Sequence, residues 1–401
     1  MQYSLDSNFQ GFSGIYPTQV LDKFLVEYWT EFPLAPLTGD LGQSLANATS
    51  CIVEAPLGSL SSKDSFSVAL PKLYGGDYKQ FRQNFDKRVA FAQKLNSSKD
   101  TIAYDYYSHV IEMEQIKWLS CGQPLIADIP DYAMQDLARM EALHTMQMVI
   151  ESVYTNLYGS WTPAPPAVNG IMPRSHRAVV GVGNYAYNAA AAFPAQLALA
   201  WNGLPRADQI PTVQHLRKCY ALLRRPNALG GYVKPYRIQM KNGFLGGRYA
   251  LLCPRGFYNQ IVLDPAWTGA FTYRGGPLLE GQPNAAEGFD WVGHCAGFDI
   301  IICDFLDPYQ NSFTDGAVPL FWSLCLGAQA FIKGVSPLKG ISKDIVNGDD
   351  QVVLTSHMIK GVKALVYPTI ESIWNKPGFV ASPNDYAEQG IVHSFTVQTA
   401  A

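Results

Sequence analysis

The most regular pattern of hydrophobic positions lies in the segment 131–158, where apolar residues recur every three or four positions. Pro130 precedes this segment and Gly159 follows it, as is typical of residues that border a helix. The pattern predicts one continuous helix, roughly 40 Å long at a rise of about 1.5 Å per residue. Shorter amphipathic helices are predicted over 18–32 and 212–225.

Alternating polar and apolar residues predict a long hairpin in the first third of the chain. Its strands are expected over 65–73 and 101–113, and the polar segment 78–95 between them is expected to be helical. Further strands are predicted at 232–240, 248–253, 298–303, 344–346, 351–355 and 390–398. The uncharged segment 320–332 is expected to form an apolar helix.

The chain is expected to form two lobes, because the proline-rich segment 162–166 is a stiff linker. The second lobe, 167–340, alternates helices with short strands, and the last segment is expected to return and complete the sheet of the first lobe. Residues 1–60 have little to pack upon, so this arm is expected to need a partner surface. The large side chains on the apolar face of the helix at 18–32 are the candidate subunit contacts: Phe24, Leu25, Tyr28 and Trp29.

The composition narrows the classes of function. Of the 401 residues, 16% are charged and 48% hydrophobic, which excludes a disordered chain and leaves little charge for a fully solvated surface. We therefore expect other chains to cover much of the surface. The net charge of −3 argues against a protein whose main task is to grip nucleic-acid phosphates. The uncharged stretches 178–201 and 316–332 lack basic flanks, so burial within protein is expected rather than membrane insertion.

Several side chains could ligate a metal, but their spacing fits no common site. The seven cysteines are scattered without a Cys-x-x-Cys pair, as expected for free thiols in a reducing compartment. His294, Cys295 and Cys303 could supply three zinc ligands, yet a fourth ligand is missing and apolar residues surround them. Four oxygen-bearing side chains depart from the spacing of a calcium loop: Asp304, Asp307, Asn311 and Asp315. No metal and no cofactor is predicted.

Catalytic motifs are also missing from the sequence. Gly181-Val182-Gly183 begins like a dinucleotide-binding loop, but Ala186 replaces the third glycine, so a tight turn or close backbone approach is expected. The histidines are spread along the chain and each is expected to be structural. Short basic segments are expected to form solvated faces or subunit salt bridges, at 174–177, 217–218 and 224–225. No catalytic residue is predicted.

Five short motifs occur in a fixed order in the second half of the chain. They are Cys253-Pro254-Arg255-Gly256, Leu263-Asp264-Pro265-Ala266-Trp267, Gly297-Phe298-Asp299-Ile300-Ile301-Ile302, Leu326-Gly327-Ala328-Gln329-Ala330-Phe331 and Lys360-Gly361-Val362-Lys363. In this order they resemble the major capsid proteins of N4-like podoviruses, which are tailed double-stranded DNA bacteriophages.

The resemblance implies an α+β, Hong Kong 97-like capsid fold and a structural, non-enzymatic subunit that assembles itself into an icosahedral shell. Hexamers and pentamers of the chain would enclose the phage double-stranded DNA. The implied regions are an N-terminal arm (1–60), an extended hairpin loop (62–112), a peripheral domain (113–166 and 341–401, with the spine helix 131–158) and an axial domain (167–340). Portal and decoration or scaffolding proteins, and non-specific contact with packaged DNA, are the implied partners, without a membrane. The chain would assemble in the host cytoplasm and reside in the virion.

Two other functions remain open at the level of sequence. Low charge and free thiols would suit a homo-oligomeric cytosolic enzyme of unknown reaction equally well, although the sequence lacks its catalytic constellation. An encapsulin-like nanocompartment shell would share the fold but enclose proteins. Arms and hairpins that bury their apolar residues on neighbouring subunits favour the capsid, because such exchange ties subunits into a closed lattice.

Overall fold

The computed structural model describes the residues 34, 37–40, 50–56, 67–74, 96–103, 105–114, 129–159, 178–182, 206–224, 233–241, 244–267, 271–273, 291–307, 314–315, 318–335, 340–346, 351–365 and 390–398. Its helices are α1 (Ile129–Gly159), α2 (Arg206–Gln209), α3 (Val213–Arg224), α4 (Arg255–Ile261) and a 3₁₀ helix (Asp304–Leu306). None of these described helices is both long and apolar enough to cross a membrane.

The strands fall into three sheets within these residues. In chain order they are β1 (Thr38–Asp40), β2 (Ile52–Pro56), β3 (Ser67–Tyr74), β4 (Asn96–Ala103), β5 (Asp105–Glu114), β6 (Ala178–Val180), β7 (Arg237–Lys241), β8 (Phe244–Cys253), β9 (Phe271–Tyr273), β10 (Trp291–Cys295), β11 (Phe298–Ile302), β12 (Thr314–Asp315), β13 (Val318–Leu326), β14 (Phe331–Val335), β15 (Gly340–Val346), β16 (Gln351–Ala364) and β17 (Ile391–Val397).

The first sheet has six strands in the described part of the chain and is built around β16. β5 runs antiparallel along one side of β16, pairing residues 105–114 with 351–360. β14 and β15 follow each other along the other side, both antiparallel to β16. β2 pairs with β14 and β1 with β2, both in parallel. Strands distant in sequence therefore complete one sheet.

The second sheet has nine strands among the described residues, in the order β6-β17-β13-β8-β11-β10-β9, with β12 beside β13 and β7 beside β8. α3 covers one face of it, against β17 and β6. α4 covers the same face, where the rings of Phe257 and Phe321 meet edge to face at 6.3 Å. Beneath the two helices lies an apolar core that includes the fully buried Tyr249, Leu251 and Phe298.

A third, two-stranded sheet is the hairpin of β3 and β4. Residues 67–74 pair antiparallel with 96–103, which makes the ladder about 26 Å long at a rise of about 3.3 Å per residue. β4 ends at Ala103, and the strand that follows it, β5, pairs with β16 of the first sheet. The hairpin is therefore connected to the first sheet through the segment between β4 and β5. Within the described residues, no other strand pairs with either edge of this hairpin.

The long helix α1 packs against both large sheets. Its buried face consists of residues at helical spacing: Ala142, Thr145, Met146, Val149, Ile150 and Val153. At the first sheet, Lys360 of β16 is fully buried, and its Nζ donates to Oγ1 of Thr145 over 3.3 Å. About two and a half turns further along the helix, the ring of Tyr154 lies 6.2 Å from that of Trp322 in β13 of the second sheet. The helix thereby holds the two sheets together.

Most of the predicted elements are confirmed. The helices expected at 131–158 and 212–225 are α1 and α3, and the buried strand expected at 298–303 is β11. The strand expected at 101–113 is present but is divided between β4 and β5, which have different partners. The helices predicted at 18–32 and 78–95 lie outside the described residues.

The prediction of an apolar helix over 320–332 is wrong, because this segment contains most of β13 and the start of β14. β13 is an interior strand, paired with β17 on one side and β8 on the other. Its residues 320–326 are all buried. A strand buried on both faces shows a continuous apolar run, and such a run cannot be distinguished from a buried helix by its period.

Two expectations about the chain ends also need correction. The segment 340–364 does return to the first sheet, but the last strand, β17, joins the second sheet beside β13 and β6. In the predicted arm, Leu34, Leu37 and Cys51 are fully buried within the subunit itself, and β1 and β2 are strands of its own first sheet. This part of the arm packs without a partner chain, since β14 offers it a strand edge.

The buried face of α1 predicts the effect of placing a charge there. Val149→Asp should reduce stability by more than about 4 kcal/mol and yield insoluble protein, because the carboxylate would be buried without a partner. Met140→Asp is the matched control, since Met140 is on the same helix and 41% exposed. Solubility and thermal unfolding of the two variants check the prediction, and equal behaviour would contradict it.

Candidate functional site at the junction of the two sheets

The short segment 327–330 joins β13 of the second sheet directly to β14 of the first. All of its residues are buried. Buried backbone amides need hydrogen-bond partners, and here the partners come from other parts of the chain. The N–H groups of Gly327, Ala328 and Gln329 donate to the carbonyl oxygens of Gly390, Lys234 and Ser50, over 2.7, 2.8 and 2.8 Å. The carbonyl of Ala330 accepts from the N–H of Leu365 over 2.9 Å. The segment therefore connects four other stretches of chain.

The backbone at this junction leaves no space for larger residues. A Cβ atom on Gly327 would lie 2.2 Å from Cγ1 of Val233, and one on Gly390 would lie 2.7 Å from Cα of Ala330. Gln329 adopts a φ of 59°, in the left-handed region that non-glycine residues rarely occupy. The conformation is thus imposed by the surroundings, not by local preference.

The strand β2 is fixed to the junction by both its backbone and a buried ion pair. The N–H of Phe331 donates to the carbonyl of Cys51 over 3.0 Å. Two residues further on, Nζ of Lys333 lies 2.9 Å from Oε1 of Glu54, and their side chains are only 3% and 14% exposed. Lys333 and Glu54 are register partners in the parallel ladder. Shifting β2 by one residue would separate these buried charges, so the pair specifies the register.

The other sequence motifs also lie at close contacts in the second sheet. Gly256 allows the ring of Phe321 to approach, since a Cβ there would be 2.7 Å from it. The carboxylate of Asp264 accepts from the N–H of Val213, at the start of α3, over 2.7 Å. Its second oxygen accepts from the N–H of Ala266 over 2.9 Å. Gly297, with a φ of 90°, lies under the ring of Tyr220. These motifs therefore position helices on the sheet.

A buried cluster of His215, Cys219, Cys325 and Ser394 was missed by the sequence analysis. Nδ1 of His215 is 2.6 Å from the carbonyl oxygen of Gly181, so it must carry the proton and donate. Nε2 of the same ring is 2.6 Å from Oγ of Ser394 and 3.7 Å from Sγ of Cys219. The spacing of His215 and Cys219, one turn apart on an amphipathic helix, was the available signal.

The cluster perturbs its own ionisation. Burial opposes ionisation of Cys219, but the hydrogen bond from Cys325 and the charge on His215 outweigh it and lower the pKa of Cys219 to about 5. Burial likewise disfavours the charged imidazole, while Cys219 and the Gly181 carbonyl outweigh it and raise the pKa of His215. All four side chains are fully buried, so the cluster offers no surface to a substrate of ordinary size.

The residues considered for metal or nucleotide binding have other surroundings. Cys295 pairs with Phe298 at one end of β11, and Cys303 follows the other end, so the strand keeps the two thiols apart. In the described residues no group of His, Cys, Asp and Glu could hold a metal ion. Gly181 has a φ of 52°, and a Cβ there would lie 2.4 Å from the carbonyl oxygen of Asp208. The predicted close backbone approach at Gly181 is confirmed.

Other candidate residues are only partly described. Asp304 forms a 3.1 Å ion pair with Arg255, and Asp307 lies beside it, whereas Asn311 is outside the described residues. The candidate subunit contacts are also outside them: Phe24, Leu25, Tyr28 and Trp29.

The junction predicts a specific double-mutant result. Gly327→Ala should destabilise the protein by about 3 kcal/mol or more, because its Cβ would overlap Cγ1 of Val233. Val233→Ala removes that atom, so the double variant should lose less stability than the sum of the two single losses. Chemical denaturation of the four proteins measures the coupling. Strictly additive losses would show that Cγ1 of Val233 is not the atom that excludes a side chain at Gly327.

The fold is similar to that of solved phage capsid structures, although the sequences differ widely. No family model matches the chain, and no curated protein matches it. The chain is 11% identical to the subunit of the cyanophage Pam1 capsid asymmetric unit, with a TM-score of 0.59 over 100% of both chains. It is 10% identical to the capsid subunit of Ralstonia phage GP4, with a TM-score of 0.56 over 91% of this chain and 90% of that one. The head of Helicobacter pylori bacteriophage KHP40 gives 12% identity and a TM-score of 0.50 over 100% and 98%. The chain therefore has the α+β, Hong Kong 97-like fold of tailed-phage major capsid proteins.

Proposed function

We propose that the protein is a structural major capsid protein, which assembles itself into an icosahedral shell around a phage genome and has no enzymatic activity. The observation that supports this most strongly is the likeness over the whole length of the chain to a capsid subunit of almost equal extent. The low charge, 16% of the residues, is consistent with a surface that other copies cover.

At finer detail, we propose that the protein is the major capsid protein of an N4-like podovirus and that hexamers and pentamers are its assembly units. The support is the order of the five motifs. Four of them contain a residue at a close contact of the second sheet or the junction: Gly256, Asp264, Gly297 and Gly327. Such positions constrain residue type strongly. A side chain in place of one of the glycines would collide with the packed neighbour, and loss of the Asp264 carboxylate would leave the N–H of Val213 without its acceptor.

We assign the regions as arm 1–60, extended loop 62–112, peripheral domain 113–166 with 341–401, and axial domain 167–340. The hairpin of β3 and β4 supports the extended loop, since it is long and pairs with no other described strand. β1 and β2 anchor the arm on the first sheet, leaving the predicted helix at 18–32 to reach a neighbouring subunit. β14 of the axial region pairs with β16 of the peripheral region, and β17 of the peripheral region pairs with β13 of the axial region, so the two domains are closely interleaved.

The proposed partners are further copies of the chain, a portal, and decoration or scaffolding proteins, with assembly in the host cytoplasm and residence in the virion. Contact with packaged double-stranded DNA would be non-specific and weak. The net charge of −3 supports this, because a tight grip on phosphates requires a basic excess.

Electron microscopy of the purified, expressed protein tests the function directly. The expected result is icosahedral shells. Particles isolated from infected cells should in addition be filled with DNA. Shells that instead enclose a specific cargo protein would favour the nanocompartment. Compact oligomers with no shell, together with a measurable turnover, would favour the enzyme and contradict the proposal.

The candidate contacts of the arm give a second test. Replacing Phe24, Leu25, Tyr28 and Trp29 together by Ser should leave a cooperatively folded subunit but prevent complete shells, because the apolar face would no longer bind a neighbour. Thermal unfolding and sedimentation separate the two effects. The matched control is Lys23→Ser with Glu27→Ser, on the polar side of the same predicted helix, which should still assemble. If the apolar variant fails to fold, the helix belongs to the core of its own subunit.

A further inference from the structure

The cluster of His215, Cys219, Cys325 and Ser394 plays no part in the proposed shell function. It joins three elements of the second sheet and its covering layer: α3 supplies the imidazole and one thiol, β13 the second thiol and β17 the hydroxyl. A structural histidine needs only its two hydrogen bonds. The two neighbouring thiols are therefore the unexplained feature.

The strand register places the two thiols together. Ser394 is offset by two residues from the β17 partner of Cys325, so the two residues are diagonal neighbours on one face, about 7–8 Å apart between Cα atoms. His215 binds Ser394, and Cys219 follows one turn later, roughly 6 Å along α3. The two spacings are similar, which brings Cys219 over the strand position of Cys325. The thiol of Cys325 is close enough to help lower the pKa of Cys219.

The imidazole is oriented to act as a base toward Cys219. The carbonyl of Gly181 can only accept, so the proton of the neutral ring stays on Nδ1. The lone pair of Nε2 then faces both the hydroxyl of Ser394 and the thiol of Cys219. Proton transfer from sulfur to Nε2 produces a thiolate beside an imidazolium, and the thiolate is the nucleophilic form of cysteine.

A further polar group on the same face could hold a small polar molecule. Ser323 is the direct register partner of Ser394, so its side chain lies on the face that carries the two thiols. Its Oγ is fully buried and has no hydrogen-bond partner among the described residues. Hydrogen peroxide is small and both donates and accepts hydrogen bonds, as this hydroxyl requires.

We propose that Cys219 and Cys325 form a peroxide-oxidisable dithiol site, whose product is a disulfide that links α3 to β13. The thiolate of Cys219 attacks one oxygen of hydrogen peroxide, the O–O bond breaks, and hydroxide leaves as water with the proton from His215. The thiol of Cys325 then attacks the sulfenic sulfur, the S–S bond forms, and the hydroxyl leaves as water with the thiol proton. Two thiols and one peroxide give one disulfide and two waters.

The experiment uses the purified full-length protein at neutral pH. Samples treated with millimolar hydrogen peroxide are blocked by alkylation, digested without reduction and analysed by mass spectrometry. The expected product is a peptide pair linked through Cys219 and Cys325, reversible by dithiothreitol. It should be accompanied by a higher melting temperature, because the link constrains the unfolded chain.

Cys253 and Cys303 provide an internal control. They are also fully buried neighbours, with the N–H of Cys303 bound to the carbonyl of Cys253 over 2.8 Å. Burial raises the pKa of Cys253 well above its usual range and that of Cys303 to about 12. Cys219 should therefore react at least about tenfold faster than either control thiol.

Two variants separate the steps. Cys325→Ser should leave Cys219 as a sulfenic acid that dimedone traps, and His215→Asn should slow oxidation of Cys219 and make its rate rise between pH 7 and 9. If His215→Asn does not fold, the comparison with Cys253 and Cys303 in the unaltered protein still decides. Equal rates for all four thiols, or an oxidised Cys219 that never links to Cys325, would overturn the proposal.

Discussion

The need to satisfy buried backbone amides at 327–330 shapes the rest of the subunit. The chain leaves the second sheet after β13 and enters the first at β14 without reaching solvent. Such a path is stable only where carbonyl groups of Gly390, Lys234 and Ser50 converge on it. The residues just before β17, β7 and β2 must therefore all be in place. The two sheets then form one rigid body, since neither can move without breaking buried hydrogen bonds.

Buried polar pairs fix the relative positions of strands and helices more than they raise the net stability of the fold. Lys333 with Glu54 holds the register of β2, and Lys360 with Thr145 holds α1 on the first sheet. For Lys333 and Glu54, removing the two charges from water costs several kcal/mol, which their attraction roughly offsets. Their use lies in excluding shifted pairings, because any slip leaves an unpaired charge in the core. In the proposed shell, where the hairpin and the arm would contact a neighbouring subunit, such a defined subunit structure is the prerequisite.

The elements that sequence reasoning predicts well are those governed by local pattern. The buried positions of α1 between 142 and 153 recur at helical spacing, and the hairpin of β15 and β16 is marked by Asn347-Gly348. The helix expected at 320–332 was wrong because β13 owes its character to β17 and β8, which are remote in sequence. The same holds for the junction. Gly327 is one glycine among 34, and only the approach of Val233 shows why it is needed.

In the proposed shell, the two joined sheets are ordered within one subunit, whereas the hairpin of β3 and β4 becomes ordered on a neighbouring subunit. Hydrogen exchange compares these two parts directly. Amide exchange would be measured by mass spectrometry on unassembled subunits and on assembled particles. The segments 327–335 and 390–397 should exchange slowly in both states, because their hydrogen bonds lie within one subunit. The hairpin strands 67–74 and 96–103 should exchange quickly in subunits and slowly in particles. Equal protection of the hairpin in both states, or a junction protected only after assembly, would contradict the account.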